Sequence, residues 1–440
     1  MEANMKINAT SIKKLFSVSI LAAFLVASFS CCSNGSNQTK GNDGGEPMPV
    51  VDMGAFVPGN TSVEMAANMA IGWNLGNTLD ATGDWTDGNG VFHSDLKGAE
   101  TETSWGMPKT TETMIAAIKN AGFKTIRIPV SWHNHITDKT NYTIDSTWMA
   151  RVKTIVDWAY NKDMCVIINI HHDNLKESQL SGNCGFALSK DSTLQNQSKA
   201  YIEKVWTQIA TTFASYDNKL VFEVLNEPRD VSGEIAGNEW WCNDKSIMDI
   251  ITSYEQVGIN SIRSVSGNED RFVMVPGYAA SGSDSSMLAL YTLPTDSASD
   301  KLLLSTHAYS PYYFAMNDKD HPDTVFDNSD KTSLNSIFDY LRTNYINKGV
   351  GVVMGEASAT DKENLNERIK WATYYFTKAR EAGVPVVLWD NMVTEANEDK
   401  NNINIGERHG YYNRNANTWY FPTIIEVMMK AVYGDNYPSE

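Results

Sequence analysis

Eight apolar segments alternate with helical patterns from residue 70 onward, and this alternation limits the fold more than any other feature of the sequence. The segments are apolar nearly throughout, which is typical of parallel strands that are covered on both faces. They occupy residues 70–76, 125–130, 164–170, 220–226, 272–277, 302–309, 350–356 and 384–390.

Amphipathic patterns lie between these segments, and the weakest of them is 285–292. The others cover residues 111–122, 147–162, 198–216, 247–265, 334–349, 366–383 and 423–434. Eight β/α units without a linker predict an α/β fold with one catalytic domain, a (β/α)8 TIM barrel. A doubly wound open sheet is the alternative, but no glycine-rich phosphate loop follows the first strand.

Seven of the eight predicted strands end in polar or aromatic residues. In a TIM barrel the carboxyl ends of the strands surround the active site. We therefore expect these side chains to converge there. They are Asn74, Arg127, His171, His172, Asn226, Glu227, His307, Tyr309, Glu356 and Trp389.

Two of these residues are carboxylates, Glu227 after strand four and Glu356 on strand seven, which face each other across a barrel mouth. Such a pair suits glycosidic bond cleavage, because one group protonates the leaving oxygen while the other attacks the anomeric carbon. Arg127 and Tyr309 can stabilise an ionised Glu356 as the nucleophile. Partial burial and the charge of Glu356 then predict that Glu227 stays protonated near neutral pH.

Two further residues would contact the sugar. Asn226 is placed to hydrogen-bond the 2-hydroxyl, a contact that strengthens in the transition state. Trp389 offers a flat apolar face for a pyranose ring.

The chain resembles glycoside hydrolase family 5, and most closely its subfamily 4 of endo-β-1,4-glucanases and xyloglucanases, over about residues 60–435. The resemblance rests on GWNLGNTLDA (72–81), ETSWG (102–106), IRIPVSWHNHI (126–136), NIHHD (169–173), VLNEPR (224–229), THAYSPYYFA (306–315), GEASA (355–359) and GERHGYYNRN (406–415).

The resemblance implies roles for these residues and a reaction. Glu227 would be the proton donor and general acid/base, and Glu356 the nucleophile, of a retaining double displacement on β-1,4-glucans such as cellulose, mixed-linkage glucan or xyloglucan. The remaining family positions match Arg127, His171, Asn226, His307, Tyr309 and Trp389. One departure is Met392, which stands where family members often carry glycine after Trp-Asp-Asn.

The histidine-rich motifs at 133–135 and 171–173 also allow a zinc barrel. That alternative needs a full set of ligands with one open position. Such a set is hard to assemble once His171 lies near the glutamates, so we expect no metal and no cofactor. His135 is expected to contact the sugar, and His133 to be a loop residue.

The N-terminal segment predicts export and anchoring. Lys13 and Lys14 precede the apolar residues 15–30, which are too short for a comfortable transmembrane helix. The segment resembles a bacterial lipoprotein signal, with Cys31 favoured over Cys32 as the lipidated residue. We therefore expect a signal peptide at 1–30, a flexible tether at 31–58, a catalytic domain at 59–440, and a lipid-anchored protein of the cell envelope, periplasmic or at the cell surface.

The net charge limits the partners. The chain carries −17, and without residues 1–30 it would carry −19, which argues against nucleic acid and favours a neutral polymer. We expect a monomer. Two other functions stay open, an endo-β-mannanase and a non-catalytic, glycan-binding surface lipoprotein. A disulfide between Cys184 and Cys242 also stays open, while Cys165 is expected to be inert in the core.

Overall fold

The computed structural model describes residues 45–86, 92–94, 98–317, 323–395 and 407–438. Eight parallel strands close into a barrel in which β8 pairs back onto β1. The TIM-barrel prediction is thereby confirmed. The strands are β1 (Ile71–Asn74), β2 (Thr125–Ile128), β3 (Cys165–Asn169), β4 (Leu220–Glu223), β5 (Val273–Ser281), β6 (Leu302–His307), β7 (Gly351–Ala357) and β8 (Val386–Leu388).

A helix follows each strand and packs on the outside of the barrel. The outer helices are α1 (Glu112–Asn120), α2 (Ser146–Tyr160), α3 (Ser192–Thr212), α4 (Lys245–Arg263), α5 (Ser285–Leu290), α6 (Asn328–Asn344), α7 (Leu365–Ala382) and α8 (Pro422–Tyr433). Aspartate side chains cap several of them; the Asp191 carboxylate, for example, accepts the backbone N–H groups of Thr193 and Leu194.

Smaller elements lie in the segments that connect the barrel strands to the outer helices. Three antiparallel hairpins pair Asp84–Thr86 with Phe92–Ser94, Ile136–Asp138 with Thr143–Ile144, and Tyr412–Asn413 with Thr418–Trp419. Two one-turn helices cover Glu177–Leu180 and Tyr312–Ala315.

A helix that precedes the barrel, Ser62–Met69, closes the end at which the strands begin. Met65 and Met69 are fully buried there against inward-facing residues of the strands, such as Ile167 and Val221. Burying these apolar side chains is the main favourable term for this end of the fold.

Part of the expected tether is folded, so the prediction of a flexible segment is wrong for residues 45–58. The backbone of Glu46 pairs with that of Trp419, and Val51 and Phe56 are buried against the barrel. Apolar side chains within this segment supply the buried surface that its polar composition concealed. The signal peptide, Cys31, Cys32 and residues 31–44 of the tether lie outside the described residues.

Cys165, Cys184 and Cys242 are all buried, and the structure does not bridge Cys184 to Cys242. Cys165 lies in the core as expected. Among the residues that the structure describes, no helix combines the length and the apolar composition needed to cross a membrane.

Candidate active site

Arg127 is the centre of the polar cluster at the barrel mouth. It projects from β2 and is fully buried. Its guanidinium donates hydrogen bonds to Glu356 Oε1 (2.8 Å), Asn74 Oδ1 (3.0 Å) and Asn226 Oδ1 (2.6 Å). Burial alone would lower the pKa of Arg127, but the neighbouring carboxylates of Glu223 and Glu356 raise it above its usual range. One fixed cation therefore orients three of the expected site residues.

The orientation of two amide side chains follows from these contacts. The Asn74 amide nitrogen donates to the carbonyl oxygen of Gly355 at 2.9 Å, which ties β1 to β7. The side-chain oxygen of Asn226 accepts a hydrogen bond from Arg127, so its NH2 group is available to donate to a ligand. Asn74 is thus a supporting residue, while Asn226 presents a donor to the cleft.

Glu223 is a third carboxylate of the site, and sequence reasoning missed it. It is the last residue of β4, is fully buried, and forms an ion pair with Arg127 at 2.7 Å. The Ser305 hydroxyl and the Asn169 amide also donate to its carboxylate. The fourth strand ends at this residue rather than at Asn226, so Glu227 stands on the loop just beyond the strand.

Glu356, on β7, is held through both of its carboxylate oxygens. Arg127 donates to Oε1 at 2.8 Å and the Tyr309 hydroxyl donates to Oε2 at 2.7 Å. The residue is 5% exposed. Burial and the adjacent carboxylate raise the pKa of Tyr309 well above its usual range, so this hydroxyl keeps its proton and stays a donor. The two hydrogen bonds hold the Glu356 carboxylate in a fixed orientation.

Glu227 lies against His307, which ends β6. His307 Nδ1 is 2.7 Å from Glu227 Oε1 and 3.7 Å from Glu356 Oε2. Burial raises the pKa of Glu227, but the hydrogen bond and charge of His307 and the charge of Arg229 outweigh burial, so the pKa of Glu227 is lowered. Burial lowers the pKa of His307, but the neighbouring carboxylates of Glu356 and Glu227 outweigh burial, so the pKa of His307 is raised.

The prediction of a protonated Glu227 is therefore wrong for the unliganded site. The expectation counted burial and the charge of Glu356 but not the imidazolium of His307. The lowered pKa of Glu227 and the raised pKa of His307 instead favour an ion pair in the unliganded protein, with the shared proton on the His307 side of their 2.7 Å contact.

The two glutamates lie close together. One carboxylate oxygen of Glu227, one ring nitrogen of His307 and one carboxylate oxygen of Glu356 all lie within 4.8 Å of one another. One carboxylate oxygen of Glu227 is thus within 4.8 Å of one of Glu356. This spacing is shorter than the roughly 6.5–9.5 Å between the carboxyl groups of inverting sites.

His171 is neutral and has a defined tautomer. Burial, and then the charge of the nearby Arg127, lower its pKa well below the usual range. The Asn169 oxygen accepts from the Val130 backbone N–H, so its amide nitrogen donates to His171 Nδ1 at 3.0 Å. The ring proton is consequently on Nε2, where it can donate to a ligand.

Trp389 directly follows β8, and its ring plane is parallel to that of His171 with 6.1 Å between the centroids. Gly76 makes room for this indole, because a Cβ at that position would lie 2.9 Å from a ring carbon of Trp389. His172 stands beside His171 and packs against Trp105 at 5.4 Å. Desolvation in the cleft and the charge of Arg229 lower the pKa of His172 to about 4.

His135 does not reach the cleft, so the expected sugar contact is wrong. It is 1% exposed, stacks on Trp148 with 3.7 Å between ring centroids, and shares a hydrogen bond with Thr101. His133 is also buried, with its two ring nitrogens each 2.7 Å from the carboxylates of Asp173 and Asp84. These two histidines are structural.

In the described part of the chain, two groups of three residues could each offer a metal three ligand atoms. Within each group the three atoms lie within 4.8 Å of one another. The first is Asp80 with His171 and His172, where His172 Nε2 is 4.0 Å from Asp80 Oδ2. The second is Glu227, His307 and Glu356. In the second group the shortest contact is a direct hydrogen bond between ligand atoms, which a metal would have to break.

A (β/α)8 barrel with two adjacent carboxylates at its mouth, one held by an arginine and a tyrosine, defines a glycoside hydrolase. The family model described as Cellulase (glycosyl hydrolase family 5) matches residues 79–395. The chain belongs to glycosyl hydrolase family 5.

Similar proteins agree with this membership. The chain is 37% identical to Endoglucanase B of Ruminococcus albus over 86% of its own length and 81% of that protein. It is 34% identical to Cellulase/esterase CelE of Acetivibrio thermocellus over 84% of its own length, but it spans only 40% of that protein. Among solved structures, a GH5-4 broad specificity endoglucanase from Ruminococcus champanellensis with bound cellotriose matches with a TM-score of 0.73 and 35% identity, over 87% of this chain and all of the other.

Proposed function

We propose that the protein is an endo-acting β-1,4-glucanase that retains the anomeric configuration. The observation that carries this proposal is the distance of at most 4.8 Å between a carboxylate oxygen of Glu227 and one of Glu356. Retaining enzymes hold the two carboxyl groups roughly 5–5.5 Å apart, whereas inverting enzymes need about 6.5–9.5 Å.

In the first step Glu356 attacks the anomeric carbon and the glycosidic oxygen takes a proton from Glu227. Arg127 and Tyr309 fix the attacking carboxylate, so it needs little reorganisation. The proton is available from His307 Nδ1, 2.7 Å from Glu227 Oε1. Its transfer leaves a neutral imidazole and a protonated Glu227, and desolvation by the substrate favours this neutral pair.

In the second step Glu227, now a carboxylate, removes a proton from water, and the water oxygen attacks the glycosyl–Glu356 ester. The bond to Glu356 breaks and the product keeps the β configuration. The Asn226 NH2 group would bind the 2-hydroxyl in both steps, and the hydrogen bond from Arg127 to the Asn226 oxygen supports this role because it leaves the NH2 group available.

Variants of the two glutamates separate the roles. Glu356→Ala removes the covalent step and abolishes turnover of every substrate. Glu227→Ala removes only proton transfer, so an aryl β-cellobioside with a good leaving group still glycosylates the enzyme, and azide rescues release as the β-glycosyl azide. Failure of azide to rescue Glu227→Ala, with rescue of Glu356→Ala instead, would reverse the assignment.

The proposed substrate is an internal β-1,4-glucosidic bond of cellulose, mixed-linkage glucan or xyloglucan. The similar proteins described as endoglucanases, one of them with bound cellotriose, support a glucan. An endo-β-mannanase would use the same catalytic groups. Viscosity and reducing ends should be measured on carboxymethylcellulose, barley glucan, xyloglucan and mannan. An early fall in viscosity on the glucans is expected, and cleavage of mannan alone would favour the mannanase.

We also propose that the protein is lipid-anchored to the cell envelope through Cys31. The support is the Lys13–Cys32 pattern, and stable retention implies more than one acyl chain. Replacing Cys31 and Cys32 together by alanine should move the full-length protein from the membrane fraction to the soluble fraction. Unchanged membrane retention of this double variant would contradict the proposal.

A further inference from the structure

Arg414 is a buried arginine that connects two segments at the mouth of the barrel. It directly follows the short strand Tyr412–Asn413 and is 1% exposed. Its Nη1 donates to the carbonyl oxygen of Gly76 at 2.8 Å and to Thr78 Oγ1 at 2.7 Å, and its Nη2 donates to the carbonyl oxygen of Asp390 at 2.6 Å. One guanidinium therefore joins the segment after β1 to the segment after β8.

The carbonyl groups that Arg414 holds lie on either side of the Trp389 indole in the chain and in space. Asp390 is the next residue after Trp389. A Cβ on Gly76 would lie 2.8 Å from the Asp390 carbonyl oxygen and 2.9 Å from a ring carbon of Trp389. The two backbone segments thus meet against the indole, and without Arg414 no side chain would hold both of their carbonyl groups.

The orientation of the guanidinium is fixed as well. Its Cζ lies 5.2 Å from the centroid of the Trp73 ring, and Trp73 Nε1 donates to Asp390 Oδ2 at 2.9 Å. The Asp390 carboxylate also accepts the backbone N–H groups of Met392 and Tyr412, each at 2.9 Å. Lysine cannot reproduce these contacts, because its ammonium is a point charge rather than a planar fork of donors.

We propose that Arg414 is a positioning residue, which promotes turnover by holding the Trp389 indole in place for the sugar. The inference rests on the proposed function and on the flat apolar face that Trp389 offers to a pyranose ring. Arg414 acts through the indole and does not touch the sugar. Displacing a group that orients the substrate by about 1 Å lowers the rate on the order of a hundredfold.

A double-variant cycle tests this connection, with kcat/KM measured on an aryl β-cellobioside that has a good leaving group. Arg414→Lys should lower kcat/KM about tenfold or more, and Trp389→Ala about a hundredfold. Because Arg414 acts through the indole, adding Arg414→Lys to Trp389→Ala should lower kcat/KM by less than about a further twofold. Two losses that multiply in the double variant would overturn the proposal.

Arg271→Lys is the matched control. Arg271 is also buried and donates to the carbonyl oxygens of Leu220 and Tyr216, at 2.8 Å each, but it lies where β4 and β5 begin, at the opposite end of the barrel. Urea denaturation should show a loss of stability in both lysine variants. Arg271→Lys should nevertheless keep kcat/KM within about twofold of the parent protein. Equal losses of kcat/KM in the two variants would show a general effect of stability and refute the positioning role.

Two variants of Thr78 leave Arg414 in place and keep the proposal testable if Arg414→Lys does not fold. Thr78→Val removes one acceptor of Nη1 and should lower kcat/KM about threefold, with no further loss in the Trp389→Ala background. Thr78→Ser keeps the hydroxyl and should restore kcat/KM. Unchanged kcat/KM in Thr78→Val would contradict the proposal, and so would an equal loss in Thr78→Ser.

Failure of this inference can be distinguished from failure of the proposed function. If the parent protein hydrolyses neither the aryl β-cellobioside nor a β-glucan, the proposed function fails. If the parent protein is active and Trp389→Ala has normal kcat/KM, or if the cycle is additive, only the role of Arg414 fails.

Discussion

Replacing Glu223 by glutamine should destabilise the protein and impair turnover, although this residue does not reach the substrate. Its carboxylate forms an ion pair with Arg127 at 2.7 Å, with both side chains fully buried. Removing one partner of such a pair costs about 3–5 kcal/mol, because the other charge stays buried. Glu356 still pairs with Arg127, and the new amide oxygen can still accept, so we expect the lower end, about 3 kcal/mol.

Glu255→Gln is the matched control. Glu255 is also fully buried and accepts a hydrogen bond from Tyr291, but burial raises its pKa well above the usual range, so it is already neutral. Its replacement removes no charge and should cost less than about 1 kcal/mol.

Urea denaturation gives the free energy of unfolding of both variants, and steady-state kinetics on carboxymethylcellulose gives turnover. With Glu223 gone, Arg127 can shift toward Glu356 and Asn226, so kcat should fall by about tenfold or more. Equal stability losses in Glu223→Gln and Glu255→Gln would show that the buried charge of Arg127 does not need Glu223, and the expected difference between the two variants would be wrong.

Three other expectations concern separate parts of the molecule. Burial lowers the pKa of His133, but the carboxylates of Asp173 and Asp84 outweigh burial and raise this pKa to about 10. The stabilising contribution of the charged imidazole is therefore complete below about pH 6.5 and is lost as the pH rises toward 10. The difference in unfolding free energy between the parent protein and His133→Gln, at most about 5 kcal/mol, should therefore shrink between about pH 6.5 and 10 in urea titrations; a constant difference would contradict the charged pair. Gly76→Ala should lower kcat/KM roughly a hundredfold, because the new Cβ displaces the Trp389 indole, and near-normal kinetics would show that the indole position is not critical. Chelation with EDTA should leave turnover unchanged, and loss of activity that zinc restores would favour a metal at the histidine clusters instead.

The barrel could be predicted from sequence because its strands are buried on both faces. Continuous apolar runs such as residues 164–170 contain the observed β3, and each of the eight predicted strands corresponds to one barrel strand. Helix starts were predicted less well. α3 and α6 begin six residues before the predicted starts, at Ser192 and Asn328, because their first turns are polar and are held by aspartate caps rather than by apolar packing.

The site was partly predictable, because strand ends converge in any barrel of this kind. The roles of charges inside the barrel were not. Glu223 appears in the sequence as one acidic residue within the apolar run LVFEVLN, and that is itself a signal, since a carboxylate in a buried strand needs a partner. The partner, Arg127, is 96 residues away, so only the closed barrel shows the pair.

The histidines show the same limit. The sequence places His135 and His171 in similar polar motifs, yet one is stacked in the core on Trp148 and the other lines the cleft. The contact between His307 and Glu227 reverses the ionisation expected of Glu227. No local pattern encodes a contact between strands four and six.

The proposed mechanism requires that Glu356 forms a covalent bond to the sugar and that Glu227 acts on both sides of that step. The anomeric configuration of the first product reports on this directly, and proton NMR can observe it during early hydrolysis of cellopentaose, before mutarotation. We expect the β-anomer to form first and the α-anomer to grow only as mutarotation proceeds. If the α-anomer forms first, the reaction inverts, and Glu356 is not the nucleophile that Glu227 assists.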